Sequence, residues 1–163
     1  MDCGEQCGGG LIGWRTLKHN HMTFFAPLLT LKVVAPALEF YKKAFGVEEL
    51  LIVKNEDGSV HVAELSLEGA IFHLHQEMPG SLARSPQTLG GTTLELGVFT
   101  DNPDALMDSA LAAGGKVLSA MKDYEYGYRQ GSFEDPFGYM WTLQKKLTNA
   151  WEGVIGPEGE KVS

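Results

Sequence analysis

Two histidines two residues apart lie in the segment Ala70-Ile71-Phe72-His73-Leu74-His75. In a strand, alternation of side chains sends His73 and His75 to the face opposite Phe72 and Leu74. Imidazoles placed together in this way can hold a metal ion, exchange a proton near neutral pH or hydrogen-bond a ligand. Arg129, within Tyr126-Gly127-Tyr128-Arg129-Gln130-Gly131, offers a planar, permanently charged fork suited to a carboxylate or phosphate. An ion pair with Glu134 or Asp135 would be its other use. The rings of Phe72, Tyr124, Tyr126, Tyr128, Phe133 and Trp141 fall in or near strand-like segments, where aromatics either fill a core or stack on a ligand. Near the start, Cys3, Cys7, His19 and His21 carry metal-ligating atoms. Their separation fits no zinc-site pattern, and the intervening Gly8-Gly9-Gly10 works against a fixed geometry.

The elements that must position these groups come twice. Phe24 to Leu31 is mostly apolar and reads as a strand; Pro36 then opens a helical pattern with Leu38, Tyr41 and Phe45 on one face, stopped by Gly46. Three strands follow at Glu49 to Lys54, Ser59 to Leu67 and Ala70 to His75, joined by Asp57-Gly58 and Glu68-Gly69. From Gln76 to Gly91 prolines and glycines break every periodicity, which marks a loop. The order then restarts: a strand over Thr93 to Thr100, and a helix capped by Asn102 and opened by Pro103, with Leu106, Ala110 and Ala113 on its buried face and Gly114-Gly115 at its end. Strands at Lys116 to Ser119, Tyr126 to Phe133 and Tyr139 to Leu143 complete it, the last two joined by Asp135-Pro136-Phe137-Gly138. Setting Gly46 on Gly114 also sets Leu38 on Leu106 and Leu31 on Phe99, the mark of an internal duplication. The expected architecture is α+β, two βαβββ modules over 23–76 and 92–147 within a domain 23–147, with a flexible leader 1–22 and a flexible tail 148–163.

At 163 residues with 44% hydrophobic and 21% charged side chains, the chain suits one globular domain that buries its own core. A net charge of -8 repels nucleic acid, no run of apolar residues is long enough to span a membrane, and the start lacks the features of a secretion signal. A cytoplasmic protein is the expectation, in which Cys3 and Cys7 form no structural disulfide.

Ala37-Leu38-Glu39-Phe40-Tyr41-Lys42-Lys43-Ala44-Phe45-Gly46 resembles the first-helix signature of the PhnB-like branch of the vicinal-oxygen-chelate superfamily of glyoxalases, bleomycin-resistance proteins and dioxygenases. Asp135-Pro136-Phe137-Gly138 followed by Trp141 resembles its last hairpin, and the likeness spans roughly Phe24 to Lys145. It implies two βαβββ modules whose curved sheets form a cup, commonly in a homodimer. Metal enzymes of the superfamily take ligands from four strand positions. The resemblance sets these near Ala26, at His73, at Glu95 and at Thr142, so two of four have no usual donor, with His75, Gln144 or Glu64 as substitutes. The other reading of His73 and Glu95 is a hydrogen-bonded pair across the cup. The family's His-Ala-Glu-Leu run appears as Val62-Ala63-Glu64-Leu65 with the histidine shifted to His61, so Glu64 inherits the position and His61 does not. Tyr128 replaces the family's acidic residue and Tyr139 its histidine.

Two functions follow from the resemblance. One is a small-molecule binding protein of the bleomycin-resistance kind, its organic ligand held in the sheet cavity by His73, His75, Glu64, Arg129, Tyr128 and Trp141. The alternative is a metal-dependent isomerase or lyase with a divalent ion on His73 and Glu95. A homodimer, no nucleic-acid partner and no membrane partner are expected in either case.

Overall fold

The computed structural model describes residues 25–147 and two short strands beyond them. The leader 1–22 and nearly all of the tail 148–163 lie outside the described residues. Strand β1 (Leu28–Leu31) begins only after Pro27, which has no N–H to give to a ladder. Helix α1 (Val34–Phe45) opens two residues before Pro36 and carries that proline inside its first turn, where the missing N–H has no intrahelical partner to lose. Gly46 closes it at φ 64°, its N–H bonded to the Lys42 carbonyl. Leu38, Tyr41 and Phe45 are buried, as their spacing requires. Strands β2 (Glu48–Lys54), β3 (Val60–Leu67) and β4 (Ala70–Gln76) complete the first module.

The connection between modules carries one turn of helix, α2 (Pro86–Leu89), where the sequence predicts plain loop; the Ser85 side chain caps it by accepting the Thr88 N–H. Strand β5 (Glu95–Phe99) and helix α3 (Pro103–Ala112) open the second module. Asn102 precedes α3 but makes no side-chain cap, and Met107 takes the deep position for which Leu106 is expected. Strand β6 (Lys116–Tyr124) continues well past Ser119, then β7 (Tyr128–Glu134) and β8 (Met140–Lys146) follow. A two-strand pair, β9 (Val154–Ile155) with β10 (Lys161–Val162), lies beyond.

Each module makes one four-stranded mixed sheet, ordered β1-β4-β3-β2 and β5-β8-β7-β6, in which only the first pair is parallel. Equal strand orders bear out the internal duplication. Leu29, Leu31, Ala63, Leu65, Phe72 and Leu74 of the first sheet and Leu96, Phe133, Trp141 and Leu143 of the second belong to one continuous core with α1 and α3. Phe72 meets Trp141 at 6.0 Å and Phe45 meets Phe133 at 6.1 Å between ring centroids, so the modules share that core rather than each owning one. Among the described residues no helix is long and apolar enough to cross a membrane.

Candidate functional site

Residues directly opposite in a β ladder point to the same face, so the pairing register names what each sheet turns away from the core. On the first sheet Leu28, His73, Glu64 and Leu51 form one row across the strands, and Thr30, His75, Val62 and Val53 the next. On the second, Glu95 and Met140 share a row with Glu134; Gly97 and Thr142 with Ser132; Phe99 and Gln144 with Gln130. Both outward faces therefore mix apolar side chains with a few polar groups. Leu28, Leu51 and Val53 remain 39–61% exposed on the first, an unusual concentration of apolar surface on one face.

The first face carries the histidines. His73 Nε2 lies 3.8 Å from Glu64 Oε2, both side chains about a quarter exposed or less, and the His73 and His75 rings are 6.0 Å apart. His75 Nε2 is buried without a hydrogen-bond partner among the described residues, and so is His61 Nδ1. Burial, with the nearby His73 and His61, lowers the His75 pKa and keeps its imidazole neutral at pH 7. On the second face Thr142 Oγ1 donates to the Glu95 carboxylate. A Cβ at Gly97 would sit 3.2 Å from Gln144 Nε2, so the glycine leaves that amide room. Tyr128 stands at the end of this face, its ring 6.3 Å from Phe99 and 6.1 Å from Tyr126.

Two residues expected in the cavity are elsewhere. Arg129 spends its fork on Asp104, through Nε at 2.7 Å and Nη2 at 2.5 Å, and gives Nη1 to Asp123 at 2.8 Å. These bonds raise its pKa further and lower that of Asp104. Neither Glu134 nor Asp135 receives it. Trp141 is buried in the shared core, and its Nε1 donates to Asp135 Oδ2 at 2.9 Å. Sequence reading gave Asp135 only as a turn residue and a possible partner of Arg129, not as the centre of a buried network: Oδ2 also accepts the Tyr41 hydroxyl at 2.6 Å, while Oδ1 accepts the Phe137 and Tyr139 N–H groups. Burial raises the Asp135 pKa against the pull of those donors.

The sequence profile of the Glyoxalase/Bleomycin resistance protein/Dioxygenase superfamily matches residues 19–143, more than half of the chain. The chain belongs to this superfamily. An uncharacterized protein of Mycobacterium tuberculosis is 34% identical over 131 residues, covering 78% of this chain and 77% of the relative. The crystal structure of TioX from Micromonospora sp. ML1 superposes with a TM-score of 0.63 at 22% identity, covering 77% of this chain and all of that one, a likeness of fold. An Arabidopsis thaliana gene product of solved structure is 28% identical with a TM-score of 0.60, covering 75% of this chain and 98% of its own.

Glyoxalase-superfamily proteins often use divalent metals, which sets a test for the donors present. His73 and Glu95, expected to meet across one cup, point outward from different sheets with the shared core between those sheets. Among the described residues no hydrogen bond or ion pair joins the two: His73 lies beside Glu64, and Glu95 accepts from Thr142. Among the described residues no three His, Cys, Asp or Glu side chains converge. Among the described residues, one chain does not bring together the three protein donors a catalytic divalent site takes.

Proposed function

We propose that the protein binds a small organic molecule in a cup that a second copy of the chain closes, and that it does so as a member of the PhnB-like branch. The single observation that carries the reading is the buried, unpartnered Nε2 of His75 beside the His73–Glu64 pair. An orphaned buried nitrogen costs roughly 1–3 kcal/mol, which a ligand's hydrogen bond recovers. Around it Leu28, Leu51, Val53 and Val62 supply apolar wall, giving the mostly apolar lining with few convergent polar atoms that small-molecule sites have. Glu95, Thr142 and Gln144, from the outward face of the second sheet of the other copy, complete the polar set, with Tyr128 at its end. Such an arrangement holds a molecule by shape and hydrogen bonds. Arg129 and Trp141, engaged elsewhere, take no part.

Native mass spectrometry of the purified full chain tests this. A mass of twice 17.8 kDa plus a small-molecule adduct is expected, with the adduct lost and the dimer kept in His75→Phe. An adduct-free monomer, or an adduct retained by His75→Phe, overturns the reading. The metal-dependent isomerase or lyase replaces it if elemental analysis finds a stoichiometric divalent ion that His73→Ala removes.

A further inference from the structure

A crevice of about 410 Å³ opens where the β3–β4 hairpin and the stretch before β1 face the β5 edge of the second sheet. Its floor is aromatic: Phe45, Phe72 and Trp141 meet edge to face, with Phe45 and Trp141 centroids 4.9 Å apart. These three rings belong to the shared core, Gly97 and Phe99 of the lining stand on the outward face of the second sheet, and none of His73, His75, Glu64, Glu95, Thr142 or Gln144 is among the lining residues. Its volume falls within the roughly 300–1,000 Å³ of small-molecule pockets.

Glu68 is the one charged side chain among the described residues that line it, and among those residues it makes no ion pair or side-chain hydrogen bond. Its backbone stands at φ 50°, followed by Gly69 at φ 93°, in the two-residue turn between β3 and β4. That position favours Asn, Asp or Gly, since a longer side chain there strains the left-handed backbone. Turn geometry does not account for glutamate; its exposed side chain puts a carboxylate at the mouth of an aromatic crevice.

We propose that this crevice is a second ligand site, separate from the cup, that takes an amphiphilic cation: an apolar ring body on Phe45, Phe72 and Trp141 with its ammonium group at Glu68. The apolar floor supplies affinity for the ring, and the unpartnered carboxylate selects the charge.

Calorimetric titration of the full chain with two probes of one ring body, 1-naphthylmethylammonium and 1-naphthylacetate, reads the site. The ammonium is expected to bind at least several-fold more tightly, and Glu68→Gln to weaken it by about three- to tenfold, as an exposed charge pair allows, without weakening the acetate. Ala70 shares a strand face with Phe72 and is exposed at the mouth, so Ala70→Leu should block both probes while the melting temperature stays within a few degrees. His73→Ala should leave both titrations unchanged, which separates this site from the cup. Equal binding of the two probes, no effect of Ala70→Leu, loss of binding in His73→Ala, or a halved molecular mass in Ala70→Leu, which would mean that a second copy covers the crevice, each overturns the proposal.

Discussion

Asp135 is a buried carboxylate surrounded only by donors: two N–H groups of its own turn on one oxygen, a phenol and an indole on the other. The phenol belongs to Tyr41 on α1, so this single side chain ties the first module's helix to the second module's last hairpin. Burial, and then the neighbouring carboxylate, raise the Tyr41 pKa, keeping it the O–H donor the geometry needs. Tyr41→Phe should cost about 1–3 kcal/mol of stability in urea unfolding, because it leaves a buried lone pair unmet. Asp135→Asn should cost at least as much, since its amide turns an NH₂ toward donors on one side or the other. Nothing within Asp135-Pro136-Phe137-Gly138 announced this role, because Tyr41 lies 94 residues away. The alternation of His73 and His75 against Phe72 and Leu74 was legible because strand periodicity is local. Arg129 was misassigned for a related reason: Glu134 is five residues along the same strand, hence on the opposite face, whereas Asp123 is its direct cross-strand partner and Asp104 comes from α3.

At the scale of elements, Glu77 fastens the inter-module connection to the end of β4. Its carboxylate accepts the Ser85 N–H and hydroxyl, the Thr88 hydroxyl and an Arg84 N–H. The Ser85 bonds chiefly, then Thr88, hold its pKa down to about 2 from 4.5. A depressed carboxylate contributes stability that is present above pH 4.5 and is lost as pH falls toward 2, where the folded state must also take up the proton. Limited proteolysis within 77–94 should therefore accelerate below pH 4 in the wild-type chain. In Glu77→Gln cleavage should be faster at pH 7 and lose that acid dependence; a wild-type cleavage rate at pH 7 would show that the fastening is not what orders the connection. Strand β7 has a different constraint. A Cβ at Gly131 would lie 2.5 Å from Met121 Sδ and 2.9 Å from its backbone nitrogen, and backbone cannot step aside. Gly131→Ala should cost about 1–3 kcal/mol by overpacking, read as a lowered midpoint of thermal unfolding. Helix stops, hairpin turns and the order of strands were readable from Gly46, Asp57-Gly58 and Glu68-Gly69. The cap at Ser85 was not, because a single helical turn has no periodicity and owes its place to Glu77, which no local pattern connects to it.

At the scale of the molecule, the sequence predicted both modules but not how their sheets turn. Alternation shows which residues share a face; it says nothing about which face of one sheet meets the other. Here the apolar faces meet, and the row Leu28, His73, Glu64, Leu51 and the row Thr30, His75, Val62, Val53 are left outward. Leu28, Leu51 and Val53 keep so much exposed surface on one side that covering them is worth more than leaving them wet, at about 25 cal/mol per Å² of apolar area removed from water. The edges add to the case, because β1 and β5 each pair on one side only, and an unpaired edge beside an apolar face invites a second chain. A twofold pairing of identical chains meets both demands with one surface. Light scattering should therefore give about twice 17.8 kDa for the full chain. Leu51→Glu sets a charge on that outward face, at its β2 edge, and should shift the mass to that of the monomer at micromolar concentration, with the far-ultraviolet circular dichroism unchanged because Leu51 lies outside the shared core. Leu82, fully exposed in the connection, is the control, and Leu82→Glu should leave the dimer intact. A Leu51→Glu protein that stays dimeric would mean that the first sheet's outward face is open to solvent, and the cup proposed on it would then have no second wall.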